Sequence, residues 1–324
     1  MISIIIPMYN ASKVIIRCIN SIKNQTYNDF EVIVVDDGSK DNSYSLVNNY
    51  VCDDKRFILI TQNNQGVSAA RNKAIEICHG DWITFIDADD YIDSTYLESI
   101  FAADASIDLV LSGWKQIDIT NGHKKTFEYL NKIYNPSEFD SLFSDSILIN
   151  RHGAPWAKLF KTSIIKKHNL KFNIHLKLSE DRLFLYEYLL QCNSIVSISY
   201  FGYNYQISKN SIMKNKSDSN EELLRIKLLY TASKRIISSF KCSNHSIANF
   251  ENILLIYIIR YLRIFKNNKL LKREINTIKH NYPLNISIKR LIKIENFKHI
   301  KGFAFQLFYL TKKNTLFYLL NRYV

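Results

Sequence analysis

Apolar runs alternate with helically spaced segments along the first third of the chain. ISIII (2–6) precedes a helical pattern near 12–24, FEVIVV (30–35) another near 42–51, FILI (57–60) a third near 67–78, and WITFI (82–86) closes the series. Strand–helix repetition with short connections predicts a mostly parallel sheet with helices on both faces. The strands are continuously apolar, as burial on both sides requires. Polar clusters collect at their carboxyl ends: PMYN, DDGSKDN, QNNQGVSAARN and DADD. Ligands of open α/β sheets bind at those ends, near a switch in strand order.

DLVLSGW (108–114) and KKTFEYL (124–130) read as further strands, and PSEFDSLFSDSILI (136–149) as helical. WAKLF (156–160), a short helix near 162–168, SEDRLFLYEYLL (179–190) and VSISYFGYNYQI (196–207) complete a first domain over 1–208. The polar, aperiodic stretch at 209–220 reads as a linker or mobile loop. An α-helical region follows over 221–324. In it Phe250, Leu254, Tyr257, Ile258, Tyr261 and Phe265 recur at spacings of three and four, an amphipathic helix.

Charge divides the chain in the same way. Residues 1–110 carry 8 Lys and Arg against 16 Asp and Glu, whereas the remainder carries 35 against 14, within a total of +13. An acidic front half joined to a basic tail needs more than one partner to explain it. The N-terminus lacks a basic region and a small-residue cleavage site, so no secretory signal is read, and no run of about 18 apolar residues predicts a spanning helix. Five scattered cysteines without a CxxC pair read as reduced thiols of a cytoplasmic protein.

Chemistry concentrates in four stretches. In DADD, residues two apart on extended backbone share a face, so Asp87 and Asp89 can offer two hard oxygen ligands to Mg²⁺ or Mn²⁺. A solvated loop or a helix cap is the plain alternative, with Asp93 or Ser94 capping the next helix; on the metal-binding reading Asp90 turns toward that helix. Asp37, at the end of FEVIVVDD, can accept hydrogen bonds from a base or ribose while Gly38 permits a tight turn. Arg71 offers a planar fork for phosphate or carboxylates. Ser179 can cap a helix whose first turn holds Glu180 and Asp181, where the dipole favours ionised carboxylates; one of them would serve as general base.

Taken in order, IIIPMYNASKVIIRCINSIKNQTYNDFEVIVVDDGSKDNS, NQGVSAARN, GDWITFIDADD and WAKLF…SEDRLF resemble the family 2 glycosyltransferases of A-type glycosyltransferase (GT-A) fold, over residues 1 to about 206. The resemblance implies a Rossmann-like α/β domain and an inverting transferase that uses a nucleotide sugar, usually UDP-linked, with Mn²⁺ or Mg²⁺. It places Pro7, Tyr9 and Asp37 at the nucleobase, Asn64 and Arg71 in the donor pocket, and Asp87 at the ribose side and metal. Asp89 becomes the metal ligand, Asp181 the catalytic base and Glu180 its neighbour that positions the acceptor. Trp156, in a W-x-K-L stretch, would line the acceptor site; a core aromatic is the equal alternative. The expected product is surface or capsular polysaccharide or another envelope glycan, made by a hexosyl- or N-acetylhexosaminyltransferase.

Two features depart from the family pattern. The Q-x-x-R-W motif and spanning helices of processive synthases are missing, which implies one sugar per event. The stretch YNYQISKN supplies Gln206 and Lys209 but no His as a further metal ligand. In the basic tail, Arg260, Arg263 and Lys266 beside Tyr and Phe suit an anionic membrane face, as an acceptor on a lipid carrier would require. Packing on the first domain or a homo-oligomer accounts for them equally. A nucleic-acid binder is the competing class, opposed by the acidic front half and the absence of an aromatic RNA motif. A catalytically silent partner subunit is opposed by intact Asp89 and Asp181.

Overall fold

The computed structural model describes residues 1–101, 106–145, 148–149, 153–207, 218–262, 264–265 and 268–284. The chain divides into two compact units, Met1–Glu138 with Ala154–Ser211, and Phe139–Gly153 with Ile212–Val324.

The first unit is built on one sheet. It begins β1 (Ile2–Met8), α1 (Ile15–Lys23), β2 (Phe30–Asp36), α2 (Ser43–Val51), β3 (Phe57–Thr61), α3 (Val67–Ile77) and β4 (Trp82–Phe85), the predicted alternation. It continues with β5 (Tyr91–Ile92), α4 (Tyr96–Ile100), β6 (Leu109–Asp118), β7 (Lys124–Phe127) and β8 (Lys132–Tyr134). Strand order is β3-β2-β1-β4, then β9 (Lys158–Lys161), β6, β10 (Ile195–Ile207) and β5. Strands β3 to β4 run parallel, and β9 enters antiparallel between β4 and β6, so the sheet is mixed beyond the predicted parallel half.

The order reverses at β1, which pairs β2 on one side and β4 on the other. Right-handed crossovers therefore put α1 and α2 on one face and α3 on the other. Burial on both faces explains why Ile2, Ile4, Ile5 and Ile6 are fully buried, in a run interrupted only by Ser3, which is itself buried and donates to Glu31 Oε1 at 2.6 Å. Beneath β4, Phe85 meets Phe160, Phe172 and Phe184 edge-on at 5.3–6.1 Å, contacts worth about 0.5–1.5 kcal/mol each beyond the area they bury. Two helices, α6 (Thr162–Lys167) and α7 (Glu180–Leu189), lie between β9 and β10 in the chain.

Strand β10 carries the largest irregularity. Its parallel register with β6 runs Ile198↔Ser112 and resumes at Tyr203↔Trp114, so residues 199–202 form a bulge. Gly202 allows it, because a Cβ there would lie 2.4 Å from the Tyr200 ring. Bulges of this kind re-aim the side chains that follow.

The second unit is helical: α5 (Phe139–Ser144), α8 (Ser219–Ser239), α9 (Asn244–Leu262) and α10 (Asn268–Asn281). Phe139–Gly153 belongs here and not with the sheet that precedes it. Phe143 packs on Phe250 at 5.7 Å, and Asn249 Nδ2 donates to the Phe143 carbonyl at 3.0 Å. Phe250, Leu254, Tyr257, Ile258 and Tyr261 are buried as predicted for a core face, but so are nearly all their neighbours from Phe250 to Leu262. This helix is the centre of its unit, and Arg260 pairs with Glu222 at 3.4 Å. Its apolar residues are therefore spent on packing. Arg263, Lys266 and Lys209 lie outside the described residues. Among the described residues no helix is long and apolar enough to cross a membrane, and all five cysteines are free thiols.

Candidate active site

The carboxyl ends of β1, β2 and β4 open side by side at the switch in strand order. Pro7 is partly buried in β1, paired with Val35. Tyr9, the next residue but one, leaves its ring 49% exposed, available to stack on a flat partner. The loops around it are tied together, since Lys40 N donates to Asn10 Oδ1 at 2.7 Å and Asn10 N to Ser39 Oγ at 2.9 Å.

Asp37 is buried, and its carboxylate organises the loop after β3. Oδ1 accepts from Gln62 Nε2 at 2.7 Å and Gln65 N at 2.8 Å, and Oδ2 accepts from Gly66 N at 2.8 Å. Any base or ribose must share these oxygens. Gly38, at φ +72°, lies where a Cβ would crowd Asn64 N at 3.0 Å, so the predicted tight turn also lets two loops touch. Asn64 itself is exposed.

Arg71 sits in α3 and joins two sequence motifs. Its Nη2 donates to Asp87 Oδ1 at 2.9 Å and its Nη1 to Glu180 Oε1 at 3.4 Å. Its guanidinium lies 5.1 Å from the centre of the Phe172 ring. The backbone of Phe172 is clamped by Asn72, which donates to its carbonyl at 2.9 Å and accepts from its N–H at 2.8 Å. Burial opposes the charge on Arg71, but Asp87, Glu180 and Asp181 outweigh it and raise the pKa above the usual value.

The DADD turn divides its carboxylates three ways, with Asp87 engaged through Oδ1. Asp87 faces Arg71. Asp89 is exposed, and its carboxylate takes no hydrogen bond from another described residue; packing around it and the Asp87 charge push its pKa up to about 6. Asp90 turns inward, contrary to the expectation that it faces the next helix. Its Oδ2 accepts from Tyr203 Oη at 2.7 Å and its Oδ1 from Gln206 N at 2.7 Å. Neither Asp93 nor Ser94 caps α4 by its side chain: Thr95 is the cap residue, and the Asp93 carboxylate takes Lys115 Nζ and Asn204 Nδ2, each at 2.8 Å. The pull of β10 decides both side chains.

Glu180 and Asp181 open α7 as predicted, but Ser179 stands at φ +67° and makes no capping hydrogen bond. Burial pushes both carboxyls up; the Asp181 and Asp87 charges raise Glu180 further against Arg71, and Asp87 raises Asp181 against Arg182 and Arg71. Glu180 reaches about 8. Trp156 is buried, stacked on Tyr203 at 4.9 Å and Tyr205 at 5.0 Å, with its ring engaged in packing. Two further groups were not singled out in the sequence, although Lys158 is the lysine of the W-x-K-L stretch. Lys158 is fully buried, donates to the carbonyl of Ala154 at 2.7 Å, and is driven well below the usual lysine range by burial. Arg17 Nη2 donates to the Asp89 carbonyl at 2.6 Å.

The sequence profile described as Glycosyl transferase family 2 matches residues 3–166, half of the chain, covering β1 to α6 and with them the Asp37, Arg71 and DADD sites. The chain belongs to glycosyl transferase family 2. It is 32% identical over 220 residues to the putative glycosyltransferase EpsH of Bacillus subtilis (strain 168), covering 66% of this chain and 62% of that protein. It is 31% identical over 266 residues to the poly(ribitol-phosphate) beta-glucosyltransferase of Bacillus spizizenii, covering 80% of this chain and 40% of that one. It thus spans less than two thirds of the length of these curated relatives. The crystal structure of S. aureus TarS 1-349 in complex with UDP-GlcNAc superposes with a TM-score of 0.66 at 20% identity, over 96% of this chain and 92% of that chain. That likeness carries the GT-A fold, together with a helical region after it.

Proposed function

We propose that this family 2 glycosyltransferase moves one sugar per event from a nucleotide sugar, UDP-linked, to a hydroxyl of an envelope glycan, with inversion and with Mn²⁺ or Mg²⁺. The observation that carries the reading is the Arg71 bridge, which holds the DADD turn and the Glu180–Asp181 pair against one cation in a single cleft.

The donor set suits a hard divalent ion. Asp87 and Asp89 supply oxygen, and burial together with the adjacent Asp87 charge raises the pKa of Asp89, a repulsion that a cation would relieve. Among the described residues no group of three or more His, Cys, Asp and Glu side chains could hold a metal. Two carboxylates leave room for diphosphate oxygens and water, as Mg²⁺ and Mn²⁺ prefer in nucleotide sites. Bound there, the ion would neutralise charge on the departing diphosphate.

Protein side chains account for the other steps. Tyr9 stacks on the base, and Asp37 with the 62–66 loop recognises its edge or the ribose. Arg71 places positive charge where the leaving group gains negative charge. Asp181 takes the proton from the acceptor hydroxyl as it attacks the anomeric carbon from the face opposite the diphosphate. Glu180, held protonated at neutral pH by its raised pKa, donates a hydrogen bond that orients the acceptor and leaves the base role to Asp181. The named activities of the two relatives support sugar transfer, and the named substrate of one supports a glycopolymer acceptor.

Asp181→Asn tests the assignment. Donor binding, read as a thermal shift over a panel of nucleotide sugars with Mn²⁺, should survive while transfer is lost. Transfer at the wild-type rate would remove Asp181 from its role.

A further inference from the structure

We infer that Tyr203, acting with Asp90, is a positioning residue that fixes the metal-bearing turn for its cation. This rests on the cation site proposed above and adds residues that none of the four sequence motifs contains except as part of the acidic cluster.

Both ends of the turn are tied down, while the Asp89 carboxylate takes no hydrogen bond from another described residue. Tyr203 Oη accepts from Asp87 N at 3.2 Å and donates to Asp90 Oδ2 at 2.7 Å, so one hydroxyl spans both ends of the turn. Asp90 Oδ1 takes Gln206 N at 2.7 Å, and Asp90 N closes the turn on the Asp87 carbonyl at 3.0 Å. Tyr203 and Asp90 are both fully buried. The phenol is fixed in turn: its ring stacks on Trp156 at 4.9 Å with an interplanar angle of 8°, and the 199–202 bulge immediately before it sets where it points.

Without this brace, Asp87 and Asp89 repel each other across Ala88, and the turn can relieve that repulsion by rotating Asp89 away. With it, the backbone is held and the repulsion is met by a cation instead. Holding the ligands in place beforehand lowers the ordering cost paid at binding. A buried carboxylate within the acidic cluster is otherwise a poor choice for the fold, since burial and its neighbours both act against its charge.

The test uses the full chain and reads Mn²⁺ binding directly, from the free-ion electron paramagnetic resonance signal in the presence of UDP, alongside UDP binding without metal. Tyr203→Phe keeps the ring on Trp156 and removes both hydrogen bonds. Expected is a roughly 10-fold weaker Mn²⁺ affinity with metal-free UDP affinity within about 2-fold of wild type. A merely structural role would weaken both in parallel with the melting temperature and overturns the inference, as does an unchanged Mn²⁺ affinity. If Tyr203→Phe fails to fold, Asp90→Asn, which can keep the Gln206 contact but cannot accept the tyrosine proton through its amide nitrogen, is held to the same outcomes. A wild-type protein that binds no Mn²⁺ with UDP refutes the cation site itself, a result distinct from failure of the brace.

Discussion

Arg71 Nη2 lies 2.9 Å from Asp87 Oδ1, and the arginine side chain that makes this contact is only 5% exposed. Its other terminal nitrogen reaches Glu180, 109 residues on in sequence. One buried cation thus joins the DADD turn to the start of α7. Replacing it with Met leaves Asp87 without its cation and, on the proposed role, removes positive charge from the leaving group. Such a loss of preorganised charge costs about 10²–10³-fold in kcat. Lys restores the charge but not the fork, so Arg71→Lys should recover only part of the deficit. Steady-state kinetics of both variants decide it; a Lys variant at wild-type kcat/KM would show that geometry is immaterial.

The pH dependence follows from the pair at the start of α7. Burial raises Asp181 above the ordinary carboxylate range and, with the Asp181 charge, carries Glu180 to about 8. The proposed roles need Asp181 ionised and Glu180 protonated. The kcat/KM profile should therefore be bell-shaped, with a basic limb near 8 that Glu180→Gln removes. A basic limb unmoved in that variant assigns it elsewhere.

Stability runs the other way from activity. Both folded-state values are raised, so the native protein holds protons that the unfolded chain releases. The stabilisation is complete below the unfolded glutamate value of 4.5 and is lost as pH rises toward about 8. Ligand-free protein should melt lower at pH 8 than at pH 5. Glu180→Gln should melt higher than wild type at pH 8, by roughly 2–4 °C for each kcal/mol recovered. Equal melting curves at pH 8 would mean that Glu180 ionises there without cost.

Asp89 is the uncommitted carboxylate of its turn, so its loss should be felt only through the cation. Asp89→Ala should abolish the additional thermal shift that Mn²⁺ gives over UDP alone while leaving the metal-free protein no less stable than wild type at neutral pH, since the carboxylate takes no hydrogen bond from another described residue and burial and Asp87 act against its charge. Metal-independent transfer by this variant would overturn the role given to Asp89.

The alternation from β1 to β4 was readable because buried parallel strands leave continuous apolar runs, and the site motifs fall at their ends for the same topological reason. The two-residue β5 and three-residue β8 left no period to detect. Asp90 was misplaced because nothing in IDADDY reveals that a bulge 110 residues later delivers Tyr203 beneath it. Trp156 shows the same limit: its stacking partners, Tyr203 and Tyr205, come from a strand whose register no local pattern sets. In the tail, spacing found α9, but an i, i+3, i+4 stripe does not distinguish a helix with one wet face from one enclosed on nearly all sides.

That enclosure gives the last prediction. Arg225, with no exposed surface, donates through Nη2 to Glu221 Oε1 at 2.7 Å, pairs through Nη1 with Glu222, and lies 5.5 Å from the Tyr257 ring centre on α9. Glu222 also holds Arg260. Removing one partner of a buried ion network leaves charge without compensation and costs about 3–5 kcal/mol. Arg225→Met should therefore destabilise the helical unit strongly. Adding Glu222→Gln should recover part of the loss, because the stranded charge goes with it. Chemical denaturation of the single and double variants measures both terms. Strictly additive losses would show that Arg225 contributes by packing its aliphatic stem and not by answering the two glutamates.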